Sequence, residues 1–244
     1  MHKPKYTLTD KAHLLKAQIV KRAKNPSLYI HATQQMYHNI CIRNTHSTLA
    51  IENNLLTQVQ ISDIIDGKHA ELVLNEIIAV KNAYEAYSLF FNRHFATANP
   101  YSIPEMLNAH KTFMKGLVKE AGLFRSEPSA KHIPRYMDNL VDWAKMSNEH
   151  PLIKSCVFHY EIITQQPFAY GNGLIARKWQ TMILLQMNDA PLRIPLMNVV
   201  RERRQEYYDI INISDRVNGC TKFIEYMLRA IRDALAEFEK DPFR

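Results

Sequence analysis

The sequence predicts an all-α fold. Three observations carry this. The 244 residues contain only six glycines, too few for the many tight turns of a sandwich or barrel. Long stretches run without a breaker. Apolar residues recur at spacings of three and four rather than two, the mark of one buried helix face. In chain order, residues 8–24 read as a first amphipathic helix. Asn25-Pro26-Ser27 stops it and caps a second over 28–43. A short helix covers 46–54, and another covers 61–66 and ends at Gly67. The longest helix is expected over 69–95, with Val73, Ile77, Val80, Tyr84, Tyr87 and Phe91 as its apolar stripe. Ser102 caps a helix over 103–121, stopped by Gly122. Pro134 opens one to 147 and Pro151 one to 165, and Pro suits a first turn, where the missing N–H costs nothing. In the latter, Ile153, Cys156, Val157, Tyr160 and Ile163 make it nearly all apolar on one face, a central helix. Helices over 172–187, 196–216 and 221–240 complete the set. Residues 1–44 carry N-terminal helices and 45–244 the main helical unit, together one compact body.

Composition narrows the function. Hydrophobic content is 46% and charged content 23%, ordinary for a soluble globular chain. No apolar run approaches the ~18 residues of a membrane span, and the first residues lead into a charged helix rather than a secretory core. Cys41, Cys156 and Cys220 are far apart and odd in number, which fits a reducing, cytoplasmic compartment and no metal pattern. The net charge of +7 admits nucleic-acid contact without requiring it. Its basic groups gather at Lys11, Lys16, Lys21, Arg22 and Lys24 and at Arg201, Arg203 and Arg204, where a solvated basic face is the simpler reading. His159, in an apolar helix, reads as a core histidine.

The segment Gln166-Pro167-Phe168-Ala169-Tyr170-Gly171-Asn172-Gly173-Leu174-Ile175-Ala176-Arg177 reads as a helix end, a tight turn and a new helix N-terminus. Glycines at 171 and 173 free the backbone to form a concavity of N–H groups, and the helix adds its unpaired donors and positive dipole end. That combination suits phosphate. A plain Gly-Asn-Gly turn between core helices is the alternative. The segment resembles the signature of the Fic (Fido) family of AMP transferases, His-Pro-Phe-x-Asp/Glu-Gly-Asn-Gly-Arg-x-x-Arg. Pro167, Phe168, Gly171, Asn172, Gly173 and Arg177 match it. The resemblance implies a helix–loop–helix heart made of the central helix, this turn and the next helix. It implies that Gly171, Asn172, Gly173 and Arg177 bind phosphate or nucleotide.

Three departures fall on the reactive positions. Gln166 stands where the family has the His that deprotonates a target hydroxyl, and an amide has no usable pKa for that work. Tyr170 stands at the acid that helps hold Mg²⁺. A phenol with a pKa of about 10 is neutral there and a poor ligand for a hard cation. Leu174 replaces an Arg that clamps phosphate oxygens. Nucleotidyl transfer is mostly positioning and charge stabilisation, so ordinary AMP transfer is expected to be absent and Mg²⁺ is only weakly supported.

A second stretch, Thr48-Leu49-Ala50-Ile51-Glu52-Asn53, is similar to the family's inhibitory motif, Ser/Thr-x-x-x-Glu-Gly/Asn, whose Glu pairs with the second signature Arg. The resemblance implies a Glu52–Arg177 ion pair, with Thr48 and Asn53 capping or bonding locally. The β-hairpin flap by which family members dock targets has no room between Gly122 and Tyr136 and reads as deleted. Tyr207 or Tyr208 lies where relatives border an adenine pocket, with ordinary packing as the alternative. Three functions follow. The first is a pseudoenzyme that binds ATP, another nucleotide or nothing and works through a protein partner. The second is a residual or altered nucleotidyl or phosphoryl transferase. The third is a basic nucleic-acid-binding regulator.

Overall fold

Every regular element among the residues described by the computed structural model (3–29, 33–68, 73–91, 99–188 and 190–241) is helical. The helices are α1 (Asp10–Arg22), α2 (Gln34–Ile51), α3 (Gln58–Ile65), α4 (Leu74–Ser88), α5 (Ile103–Met114), α6 (Ile133–Met146), α7 (Pro151–Gln165), α8 (Asn172–Leu184), α9 (Leu196–Glu202), α10 (Arg204–Arg216) and α11 (Thr221–Lys240). Short 3-10 turns cover Pro26–Tyr29, Leu89–Phe91, Pro128–Ala130 and Ala190–Leu192.

Local sequence explains most helix starts. Thr9, Thr33 and Thr57 each accept a backbone N–H three residues on, which satisfies a donor that the first turn leaves unpaired. Proline sits in the first turn of α5, α6 and α7. The centre is set by burial. From Gly173 to Leu184 every residue of α8 is buried, and a helix covered on all sides belongs at the middle of a fold. α7 buries Leu152, Ile153, Cys156, Val157, Phe158 and Ile162 and packs on α8 more extensively than on any other helix. α2 leans on α4 and α9, and α11 runs across α1, α7, α9 and α10.

The structure revises several expected boundaries. The two helices expected over 28–43 and 46–54 are one helix, α2. It ends at Ile51, so Glu52 is its C-cap and Asn53, at φ +68°, is the left-handed residue that stops it. The Asn54 N–H closes back on Leu49 O at 3.0 Å, the bond that terminates such helices. The boundary drawn between 44 and 45 therefore falls inside a helix. The helix expected over 69–95 is Leu74–Ser88, with Val73 an exposed N-cap rather than part of the stripe. Residues 69–72 and 92–95 of that expectation lie outside the described residues, as do 30–32 of the earlier one. The longest described helix is α11. α5 stops at Met114 rather than 121, because Lys115 turns extended and Gly116 takes φ +75°. The stretch expected as one helix over 196–216 breaks at Arg203 into α9 and α10.

His159 is fully buried. Its Nδ1 lies 2.7 Å from Gln180 Oε1, which only accepts, so Nδ1 carries the proton. Nε2 then accepts from the Tyr207 hydroxyl at 2.8 Å. Burial lowers the His159 pKa to about 3, from an ordinary 6.5. Above pH 6.5 the group is neutral folded or unfolded and contributes no slope. Below 6.5 the unfolded chain takes up a proton that the native state refuses, so stability falls as pH falls towards 3. The full effect is about 1.4 kcal/mol per pH unit. Urea titrations between pH 7 and pH 4.5 should show this loss, and the His159→Gln variant should lose less over the same interval. Equal losses in the two proteins would contradict the assignment.

Candidate functional site

The site is built where three helix ends meet. α7 ends at Gln166, which takes a left-handed φ of +47°. The chain turns through Pro167 and Phe168, both buried, and enters α8 at Gly171, with φ +75°. Gly171 is required twice over. Its φ suits glycine, and a β-carbon there would stand 2.8 Å from Met114 Sδ. The loop is tied by Asn172, whose Oδ1 accepts the Phe168 N–H at 2.9 Å and whose Nδ2 donates to Phe168 O at 2.8 Å. The Asn172 side chain is thus spent on the loop's own backbone. It shapes the cradle and does not reach into it.

Two further residues, missed in the sequence, brace the loop from outside. The His110 ring stacks on Phe168 at 3.9 Å between centroids. Gly122 N–H donates to His110 Nδ1 at 2.9 Å, so the proton is on Nε2, which donates to Tyr170 O at 3.0 Å. Burial lowers the His110 pKa, opposed by the Tyr170 carbonyl. This neutral, doubly bonded imidazole is a brace, not a base standing in for the family's His. Its signal was its place on the buried α5 stripe with Met106 and Phe113. Arg125 donates to Gln166 O at 2.6 Å and Gln165 O at 3.3 Å, and its backbone N–H to Pro167 O at 2.9 Å. A cation on the last carbonyls of α7 complements the negative end of that helix. Between Gly122 and Tyr136, where a flap was sought, the chain holds turns, one 3-10 turn and the start of α6, with no strand, and Arg125 tethers the loop.

The three departures lie apart in character. Gln166 and Tyr170 are exposed, Tyr170 by 63%, so the phenol does not fill the cradle. Leu174 is buried with the core. Behind the loop, Arg177 is completely buried. Its Nη2 donates to Glu52 Oε1 at 2.7 Å and to Thr48 O at 3.1 Å, and its Nε donates to Thr48 Oγ1 at 2.8 Å. Burial opposes the charge on Arg177, but Glu52 with the Tyr207 and Tyr87 phenols outweighs it and holds the pKa above the usual guanidinium value. Nη1 is buried with no hydrogen-bond partner.

Glu52 does not merely touch the arginine. A β-carbon on Gly173 would stand 2.1 Å from Glu52 Oε1 and 2.9 Å from Arg177 Nη1. The glycine therefore leaves the space that the carboxylate occupies, at a helix N-terminus with no side-chain cap. Asn53 caps the end of α2, as expected, with its N–H on Ala50 O at 3.1 Å, but the side chains of Thr48 and Asn53 also bond across the fold. Thr48 holds Arg177, and Asn53 Oδ1 accepts from Arg204 Nη2. Tyr207 is buried against His159, and the Tyr208 hydroxyl donates to Ile51 O at 3.0 Å.

Elsewhere, Lys178 is buried beside a cavity of about 30 Å³, room for a water or two and not for a nucleotide. Its Nζ donates to Ala86 O at 2.5 Å, and burial lowers its pKa to about 7. The basic groups singled out in the sequence are largely engaged: Lys11 with Glu225, Arg22 with Glu239 and Arg203 with Asp233. No helix among the described residues is long and apolar enough to cross a membrane.

Comparison with known proteins places this geometry. The family model for the Fic/DOC family matches residues 79–184. The chain superposes on a Fic family protein from Desulfovibrio desulfuricans G20 with a TM-score of 0.89 and 34% identity, covering 98% of this chain and 77% of that one. It shares its fold with a Fic domain containing signaling protein from Bacteroides thetaiotaomicron, at TM-score 0.73, 16% identity and 93% and 95% coverage of the two chains. It shares it also with Fic-1 from C. elegans, at 0.76, 18%, 94% and 70%.

The Gly173 cradle makes a direct prediction. Gly173→Ala should destabilise the protein by about 1–3 kcal/mol, the usual cost of overpacking, because the methyl and the Glu52 carboxylate cannot share the space. Glu52→Gly costs stability by itself, because it strips the buried Arg177 of its anion, but in that background the added penalty of Gly173→Ala should largely disappear. Denaturant unfolding of the two single variants and the double variant measures the coupling, and simple additivity would show that the carboxylate is not seated there.

Proposed function

The chain belongs to the Fic/DOC family, and on that premise we propose that it is a pseudoenzyme of the AMP-transferring Fic proteins, one that keeps an anion cradle for phosphate or nucleotide and has given up ordinary AMP transfer. The observation that carries this reading is Arg177 Nη1, a charged donor in the interior without a partner, beside Gly173. An unsatisfied buried donor costs about 1–3 kcal/mol, more when charged. An oxyanion arriving at the helix N-terminus would remove that cost, and a phosphate has the oxygens to do it. Glu52 is the internal competitor for the same cation. The cradle is therefore a place where two anions exclude one another.

The loss of chemistry rests on the other side of the loop. With Gln166 at the base position, no group there accepts a proton from an attacking hydroxyl. The residues present do not fit Mg²⁺, which needs hard, charged oxygens. Tyr170 is a phenol turned to solvent, and Glu52 is committed to Arg177. A ligand is thus expected to bind as a bare anion. With three free, buried thiols, the chain fits a reducing, cytoplasmic setting. Without transfer chemistry, its output is an interaction with a protein partner, set by whether Glu52 or a ligand holds the arginine.

Calorimetry with ATP, ADP and AMP on the wild type and on Glu52→Gly tests this. Binding should be weak in the wild type and tighter in the variant by about five- to 150-fold, the usual range of coupling between competing states. Mg²⁺ should not improve it. Incubation with ATP and Mg²⁺ should leave the protein and added targets unmodified. AMP transfer that disappears in Gly171→Glu would overturn the pseudoenzyme reading, and no binding in either protein would overturn the cradle.

A further inference from the structure

We propose that Arg204 and Tyr208, on α10, form a latch that grips the end of α2 and so keeps Glu52 seated over the Gly173 cradle. The inference rests on reading that cradle as an anion site and names what regulates it. Ile51 O accepts two donors from α10, Arg204 Nε at 2.9 Å and the Tyr208 hydroxyl at 3.0 Å. The same guanidinium, through Nη2, donates to Asn53 Oδ1. One arginine therefore holds both residues that flank Glu52, and its guanidinium lies over the Tyr208 ring at 5.4 Å.

A latch is needed because Glu52 is badly placed on its own terms. It is the C-cap of α2, and a carboxylate at the negative end of a helix is disfavoured. The last carbonyls of a helix also lack partners within it. Arg177 answers one such carbonyl, at Thr48, while Arg204 and Tyr208 answer the next one left open by the helix end, at Ile51. The Tyr208 phenol sits within the electrostatic reach of Glu52, Arg177 and Arg204 together, so latch and cradle are one cluster. The Glu52 side chain is 38% exposed while Arg177 is fully covered. The carboxylate is therefore the partner open to solvent, and what fixes its backbone bears on whether it stays seated. Arg204 and Tyr208 are positioning residues here, acting on the cradle through α2.

The experiment is amide hydrogen exchange on the full chain, paired with calorimetry of inorganic pyrophosphate without divalent metal. The Asn53 and Asn54 amides close the end of α2 on Ala50 O and Leu49 O and report the latch with no ligand present. Arg204→Ala should speed their exchange about tenfold, what a lost hydrogen bond from a charged donor is worth. Tyr208→Phe, which removes one oxygen and endangers folding least, should speed it less. Amides of α11 should not change in either. Arg204→Ala should also tighten pyrophosphate binding, and this gain should vanish when Glu52→Gly is already present. Unchanged exchange at 53 and 54 overturns the latch whatever the binding shows. Faster exchange with weaker pyrophosphate binding also overturns it, since Arg204 would then be a ligand contact. If Glu52→Gly binds no pyrophosphate, the anion-site reading falls, and exchange alone decides whether the latch exists.

Discussion

A guanidinium with no exposed surface must be given an anion, and the centre of this protein is arranged around that need. Arg177 lies in α8, the helix covered on every side. Leaving such a charge uncompensated in the interior costs several kcal/mol. Thr48, from α2, supplies two oxygens, and Glu52 supplies the charge. The docking of α2 onto α8 is thus bound to the same atoms that would meet a phosphate. On the proposed reading stability and ligand response share one cation, so a change of occupant in the cradle would also be felt along α2.

Helix ends supply the rest of the arrangement. The N-terminus of α8 offers donors, and the C-terminus of α2 offers carbonyls. Arg177 and Glu52 run between them with their charges opposed to each other and, in the case of Glu52, opposed to its own helix. Glycine at 173 is what allows the carboxylate so close. The loop before it is held rigid by Asn172 within, and by His110 and Arg125 from outside. The loop keeps its shape with Gln166, Tyr170 and Leu174 at these positions, because none of the three side chains holds it. Gln166 and Tyr170 point to solvent, and Leu174 adds to the core.

Much of this was legible residue by residue. The cap at Ser102, the prolines that open α6 and α7, and the apolar face of α7 are local signals, and they placed the starts of α5, α6 and α7 within a residue or two. The boundaries that failed did so for tertiary reasons. α2 runs straight through 44–46 because its face is buried against α4 and α9, and the cap read at Asn25-Pro26-Ser27 leads only into a 3-10 turn, the true N-cap being Thr33. α5 stops early because Gly116 takes a left-handed turn, which spacing alone could not separate from the equally eligible Gly122.

The sequence by itself determined the helical class, the turn at 166–173 and which residue types stand at 166, 170 and 174, because each depends on which side chains are present and on short-range periodicity. That Glu52 and Arg177 belong together was readable only through the resemblance, since 125 residues separate them. The tertiary structure alone decided that Glu52 is a helix cap seated in the Gly173 cradle, that Asn172 serves the loop rather than a ligand, that His110 is a brace, and that Arg204 and Tyr208 meet at Ile51 O. These are contacts across long loops of chain, fixed by how α2, α8 and α10 pack, and no local pattern encodes a distance between helices.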